Sequence, residues 1–247
     1  MNFYVTLPSD SSMNYFADNK ISHFVTRLPS PIQLKGEWEV GLVEFMYPHT
    51  WYNVNEQNNL IGFDLGDGKE LTRRIPAGCY ETVTDILKAI FIKDMQDKIS
   101  FNFNAVTKRV RIKVKNNARV ILHKGLAEIL GFEPTVISST NERGEAFMES
   151  PFAADPSAHF KVLFVYTDVV ESQIVGDVLA PLLRIVHVTG IDGDLVNVQY
   201  DRPHYLPVSR KDIESLEIVI RTHTGDLTPF ERGRSYVKLH FRQKYLA

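Results

Sequence analysis

Seven consecutive residues alternate between basic and apolar side chains: Arg109-Val110-Arg111-Ile112-Lys113-Val114-Lys115. Such an alternation is typical of a β-strand that buries one face, because successive side chains of a strand point to opposite sides. Residues 216–220 and 237–241 follow the same rule. Other apolar runs between turn residues predict further strands at residues 3–7, 21–28, 38–45, 60–65, 71–75, 99–103, 160–166, 182–188 and 195–200. Two of these runs, 160–166 and 182–188, are so apolar that we expect both of their faces to be covered.

Only two segments have the pattern of a helix. Thr82 is followed three residues later by Asp85, as at a capped helix start, and apolar side chains then recur at helical spacing up to Phe91. A shorter helix is predicted for residues 123–130, ending at Gly131. No alternation of strands and helices is present, so the sequence predicts an all-β sandwich with two short covering helices.

Composition narrows the classes of function. The 247 residues have a net charge of −2, and this near-neutral balance disfavours direct nucleic-acid binding through phosphate contacts. The chain contains one cysteine, which excludes an intrachain disulfide. It opens without a basic segment followed by an apolar one and has no run of about 20 apolar residues, so we expect neither a signal peptide nor a membrane span.

We expect one domain over residues 1–247, with a long loop insertion at about residues 132–158. That segment contains three prolines and a polar stretch at residues 138–145, and structureless loops of this length are uncommon inside a compact core. The polar stretch includes Arg143 and is expected to be mobile. The apolar Phe147 and Phe152 that follow it are expected to dock on this chain or on a neighbouring one.

Residues with catalytic or metal-binding chemistry are few. Cys79 precedes the first predicted helix, but no histidine stands in a pattern that would pair with it. His49 and His204 each follow a proline, without the spacing of a metal site. Glu37 and Glu39 lie on the same face of a predicted strand, where a solvated surface explains them better than acid–base catalysis. We therefore predict no catalytic residue, cofactor or metal, and we expect the chain not to be an enzyme.

A dense aromatic cluster stands at the end of one predicted strand, in residues 45–52. Aromatic side chains often belong to a core, but Tyr, Trp and Met are also enriched at the centres of protein interfaces. The candidate interface residues from this cluster and from the predicted loop insertion are Phe45, Tyr47, His49, Trp51, Tyr52, Phe147 and Phe152.

Several stretches carry a family resemblance when their order and spacing are taken together. They are Phe3-Tyr4-Val5-Thr6-Leu7-Pro8-Ser9, Gly36-Glu37-Trp38-Glu39-Val40-Gly41-Leu42, Tyr47-Pro48-His49-Thr50-Trp51-Tyr52-Asn53, Leu126-Ala127-Glu128-Ile129-Leu130-Gly131-Phe132, Val175-Gly176-Asp177, Ala180-Pro181-Leu182-Leu183-Arg184, and Pro229-Phe230 before the last predicted strand. The chain resembles the minor capsid protein of Polinton/Maverick elements and the related adintoviruses over nearly its whole length.

The resemblance implies a single jelly roll that serves as the penton subunit of a virion and forms homopentamers at the vertices of an icosahedral shell. It implies double-jelly-roll major capsid proteins as neighbours and no catalytic residues. Two other classes stay open. One is a jelly-roll binding module for carbohydrate or receptor attachment, with aromatic side chains near residues 49–52 for sugar stacking. The other is an enzyme, either a cupin-like metal enzyme or a Cys–His hydrolase.

Overall fold

A computed structural model describes residues 1–91, 93–139 and 144–244 of the chain. The described chain forms two compact units. The first combines Met1–Trp51 with Phe160–Ala247, and the second is Tyr52–His159. Arg143, in the polar stretch predicted to be mobile, lies outside the described residues.

The second unit is inserted between two strands of the first. Before it come β1 (Asn2–Pro8), β2 (His23–Gln33) and β3 (Trp38–Pro48). The second unit contains β4 (Leu60–Asp64), β5 (Glu70–Arg74), α1 (Val83–Ile90), a 3-10 turn (Lys93–Met95), β6 (Ile99–Asn104), β7 (Arg109–Lys115), β8 (Arg119–Leu122), α2 (Lys124–Ile129), β9 (Thr135–Ser138) and β10 (Glu145–Glu149). After a second 3-10 turn (Ala158–Phe160) follow β11 (Val162–Thr167), β12 (Gln173–Val175), β13 (Val178–Ala180), β14 (Leu182–His187), β15 (Leu195–Gln199), β16 (Leu206–Pro207), β17 (Asp212–Arg221) and β18 (Tyr236–Gln243).

The first unit is a jelly roll. Its eight main strands form nested antiparallel pairs: β1 with β18, β2 with β17, β3 with β15, and β11 with β14. These pairs assemble into a first sheet, in the order β1-β18-β3-β15, and a second sheet, in the order β14-β11-β17-β2. Two four-stranded sheets made by wrapping one long hairpin in this way define the jelly-roll fold. The predicted all-β jelly-roll class is confirmed.

Alternation along the strands builds the core of the first unit. In β11, the buried Leu163 and Val165 alternate with side chains that are only half-buried. Leu239 and Phe241 of β18 are buried in the same core, so both sheets turn an apolar face inward. Apolar residues therefore recur at every second position of these strands because each strand contacts the core on only one side.

The second unit has its own core and carries both helices. Its strands form one sheet in the order β5-β4-β8-β9 and another in the order β10-β7-β6. The Thr82 hydroxyl accepts a hydrogen bond from the Asp85 N–H and caps α1 as predicted. At the end of α2, Gly131 has φ +79°, and its N–H and that of Phe132 bond back to Glu128 and Ala127. This Schellman motif confirms the predicted helix end.

The structure differs from the prediction of one long loop at residues 132–158. That segment contains β9, which pairs with β8, and β10, which pairs with β7. Each of these strands has only four or five residues and lies near a proline, so its alternation is too short to recognise in the sequence. The inserted unit starts at Tyr52, so it is also larger than the insertion that we expected.

Candidate interaction surfaces

The aromatic cluster at the end of β3 belongs mostly to the core. Phe45, Tyr47 and Trp51 are all buried in the first unit. Phe45 and Tyr47 are two residues apart on one strand, so they point to the same side, and that side faces the second sheet. The structure therefore corrects the prediction that these three side chains form an interface.

Trp51 lies at the centre of the cluster. Its ring stacks on Phe160 with a centroid distance of 5.3 Å, and it packs at 4.1 Å against His49 and at 5.8 Å against Phe230. Trp51 and Phe160 are the residues at which the chain leaves and re-enters the first unit. The stack thus holds both ends of the insertion in one core. Burial lowers the pKa of the half-buried His49 below the usual value for histidine.

Three predicted interface residues are exposed, and all three belong to the second unit. Tyr52 follows the buried Trp51, and Phe147 and Phe152 have exposed fractions of 67% and 58%. The guanidinium of Arg111 lies over the Phe147 ring at 5.4 Å, which covers part of one face of the ring. These residues remain candidates for a contact with another chain.

The basic stripe on β7 is partly neutralised within the chain. Lys113 and Lys115 contact Glu145 of β10 at 2.7 and 3.0 Å, and Arg111 contacts Glu149 at 3.6 Å. Hydrogen bonds from the two lysines lower the pKa of Glu145. Three of the four basic side chains of the stripe therefore contact an acid, and two of them share Glu145, which reduces the positive charge available to a phosphate.

The outer face of the first sheet is polar. Arg242 on β18 contacts Glu39 on β3 at 2.9 Å, and Lys238 contacts Glu44 at 3.5 Å. Hydrogen bonds from Gln199 and Asn197, followed by the nearby Lys238, lower the pKa of Glu44. These cross-strand pairs give this face the charge pattern of a solvated surface, as predicted for Glu39.

The outer face of the second sheet is apolar along β11 and β14, whereas its β2 and β17 half has the His23–Glu217 pair at 2.7 Å. Val162, Phe164 and Tyr166 of β11 point outward and are only half-buried, and Ile185 of β14 is exposed. The sequence predicts cover on both faces of these strands, but the chain itself covers this face incompletely. Solvated faces of antiparallel sheets are normally polar, so this surface is suited to a further contact.

Three residues with catalytic potential are divided between the two units: Cys79 lies in the second, and His204 and Asp168 lie in the first. Cys79 is half-buried, and His204 is exposed on a loop of the other unit. The half-buried Asp168 carboxylate, whose pKa is raised by partial burial, is held by Arg210 at 2.6 Å and by the Glu217 N–H at 2.9 Å. Within residues 1–91, 93–139 and 144–244, no three His, Cys, Asp or Glu side chains are grouped as a metal site would need. Among the described helices, none is long and apolar enough to cross a membrane.

Comparison with known proteins supports the fold. No protein-family model matches the chain, and neither does any curated protein sequence. Among solved structures, the chain is similar to the crystal structure of the selenomethionine-labelled mavirus penton protein, with a TM-score of 0.52 at 11% sequence identity. The similarity covers 98% of this chain and 99% of that protein. It therefore extends over the inserted unit as well as the jelly roll.

Proposed function

We propose that the chain is a minor capsid protein, the penton subunit of a virus-like shell, and that five copies form a ring at each icosahedral vertex. The observation that carries the proposal is the similarity to the mavirus penton protein over 98% of the chain. A shared jelly roll alone would say little about function, because the same fold also occurs in lectins and cupins. A match that includes the insertion between β3 and β11 is more specific than that.

The proposal extends to the family that the sequence resembles. We propose that the shell belongs to the Polinton/Maverick and adintovirus group, that double-jelly-roll major capsid proteins surround each vertex, and that the protein acts in the virion. Its role in that shell is structural.

The alternative of a sugar-binding module loses its main support. Stacking on a sugar requires exposed aromatic rings, whereas Tyr47 and Trp51 are buried in the core of the first unit. Tyr52 alone remains exposed at the end of the cluster.

Mass measurement of the purified protein tests the proposal. Five copies of the 28.2 kDa chain have a mass of about 141 kDa, which native mass spectrometry and light scattering both resolve from a monomer. We expect the 141 kDa species at micromolar concentration and moderate salt. A strictly monomeric protein that also fails to join shells formed by the major capsid protein would contradict the proposal.

A further inference from the structure

An apolar β-hairpin projects from one edge of the jelly roll. It consists of β12 and β13, joined by the two-residue turn Gly176-Asp177, in which Gly176 has φ +64°. Glycine at the first turn position suits a tight hairpin turn of this kind. Ile174 and Leu179 lie directly opposite each other across the pair and are 80% and 72% exposed. A two-stranded ribbon is only marginally stable by itself, and two large aliphatic side chains on its surface favour a partner.

The strand that follows the hairpin has an open edge. β14 pairs with β11 on one side, and no strand in the described part of the chain pairs with its other side. The exposed Ile185 lies on this strand, so β14 presents a large aliphatic side chain to solvent as the hairpin does. Open edges of this kind are usually covered, because their backbone groups and apolar side chains can pair with another chain.

The opposite edge of the same sheet is covered by the chain itself. Asn19 exchanges two hydrogen bonds of 2.9 Å with the backbone of Val25 on β2, and the Ser12 hydroxyl accepts one from the Arg27 N–H. The covering segment presents Met13 and Tyr15 to solvent. The Arg27 guanidinium lies 4.5 Å from the centre of the Tyr15 ring.

We infer that the hairpin and β14 of one copy dock against the segment that covers β2 in the next copy. Charge supports this pairing. Residues 169–187, which include the hairpin and β14, have Glu171 and Asp177 against Arg184, whereas residues 11–28 have Lys20 and Arg27 against Asp18. Geometry is compatible with it too, because a contact between two different surfaces of one subunit repeats from copy to copy and gives a ring when its rotation closes. The inference rests on the proposed homopentamer and specifies its contact surface.

Charge substitution on the hairpin tests this contact. The double variant Ile174→Asp/Leu179→Asp should be folded, since both side chains are exposed, but should have the mass of a monomer at concentrations where the unsubstituted protein is pentameric. Val106→Asp is the matched control, because Val106 is 92% exposed in the second unit, and it should remain pentameric. Thermal unfolding followed by circular dichroism checks that each variant is folded. A pentameric double variant overturns the inference, and the hairpin then faces another component of the shell.

Disulfide trapping identifies the partner surface. In a Cys79→Ser background, a chain with both Tyr15→Cys and Leu179→Cys should give, on oxidation, a non-reducing ladder from dimer to covalent pentamer. A disulfide within one copy is excluded, because the two edges of the sheet are three strand spacings, or about 14 Å, apart, and disulfides need Cα atoms within about 7 Å. Each single variant should stay monomeric on the gel.

The outcomes separate this inference from the proposed function. A dimer from Leu179→Cys alone would mean that hairpins meet each other, which overturns the inferred contact. If the protein has the 141 kDa mass but forms no ladder, the proposed function stands and the inferred contact is wrong. A strictly monomeric unsubstituted protein that also fails to join shells formed by the major capsid protein removes both.

Discussion

Replacing Trp51 by alanine should destabilise the jelly roll strongly. The indole is only 2% exposed and packs against His49, Phe160 and Phe230 at ring centroid distances of 4.1, 5.3 and 5.8 Å. Truncation of a buried Trp to Ala typically costs about 3–5 kcal/mol. Aromatic ring pairs stabilise by about 0.5–1.5 kcal/mol beyond the effect of their buried area. We therefore expect the loss at Trp51 to lie in the upper part of the range of about 3–5 kcal/mol. In a chain of this size, about 4 kcal/mol corresponds to a fall in Tm of about 8–16 °C.

Urea unfolding followed by far-ultraviolet circular dichroism measures this loss. The neighbouring Tyr52→Ala is the control, because Tyr52 is exposed and its truncation should change the unfolding free energy by no more than about 0.5 kcal/mol. Trp51→Phe, which keeps a ring in the stack, should fall between the two. A Trp51→Ala variant that loses less than about 1 kcal/mol but no longer assembles would refute the reasoning, because the indole would then act in a contact between copies.

Three further predictions concern other parts of the chain. Gly131→Ala should cost more than about 1 kcal/mol in urea unfolding, because Gly131 has φ +79° and an added Cβ would meet the Phe152 carbonyl oxygen at 2.3 Å; an unchanged midpoint would contradict this. Cys79→Ser should leave the mass of the assembly and the Tm nearly unchanged. If the substitution removed a measurable hydrolytic activity, the thiol would not be inert. Burial lowers the folded-state pKa of His49, and burial together with the nearby Arg242 lowers that of His240. Below about pH 6.5, the unfolded state therefore binds more protons than the folded state. The free energy of unfolding should therefore fall as the pH decreases from 6.5 to 5, and less steeply in His49→Gln.

Most strands could be predicted because each has a local signal. The alternation in residues 109–115 matches the bounds of β7, and the caps at Thr82 and Gly131 locate the two helices. Both signals depend on neighbours within a few residues, so they are present in the sequence itself. β9 and β10 were missed because a strand of four or five residues offers too few alternations, and prolines near them favoured a loop.

The candidate interface was harder to predict because burial depends on tertiary pairing. Phe45 and Trp51 have the same residue types that interfaces favour, and only the pairing of β3 with β18 and the packing of the second sheet show that they are inside. Ile174 and Leu179 are also apolar, but the structure places them on an exposed ribbon. Residue type therefore identified the apolar groups, but not which of them the chain itself covers.

The two edges of the second sheet show why that distinction matters for function. A subunit that must not aggregate needs its edge strands covered, and Asn19 and Ser12 cover β2 in this way. In a subunit that acts alone, we would expect a covering segment at β14 as well. The edge of β14 is open instead, and exposed aliphatic side chains lie on this strand and on the hairpin before it. One covered and one open edge on the same sheet give each copy two different surfaces, and a ring of identical subunits requires two different surfaces that fit each other. This asymmetry is what the proposed ring of identical subunits would require.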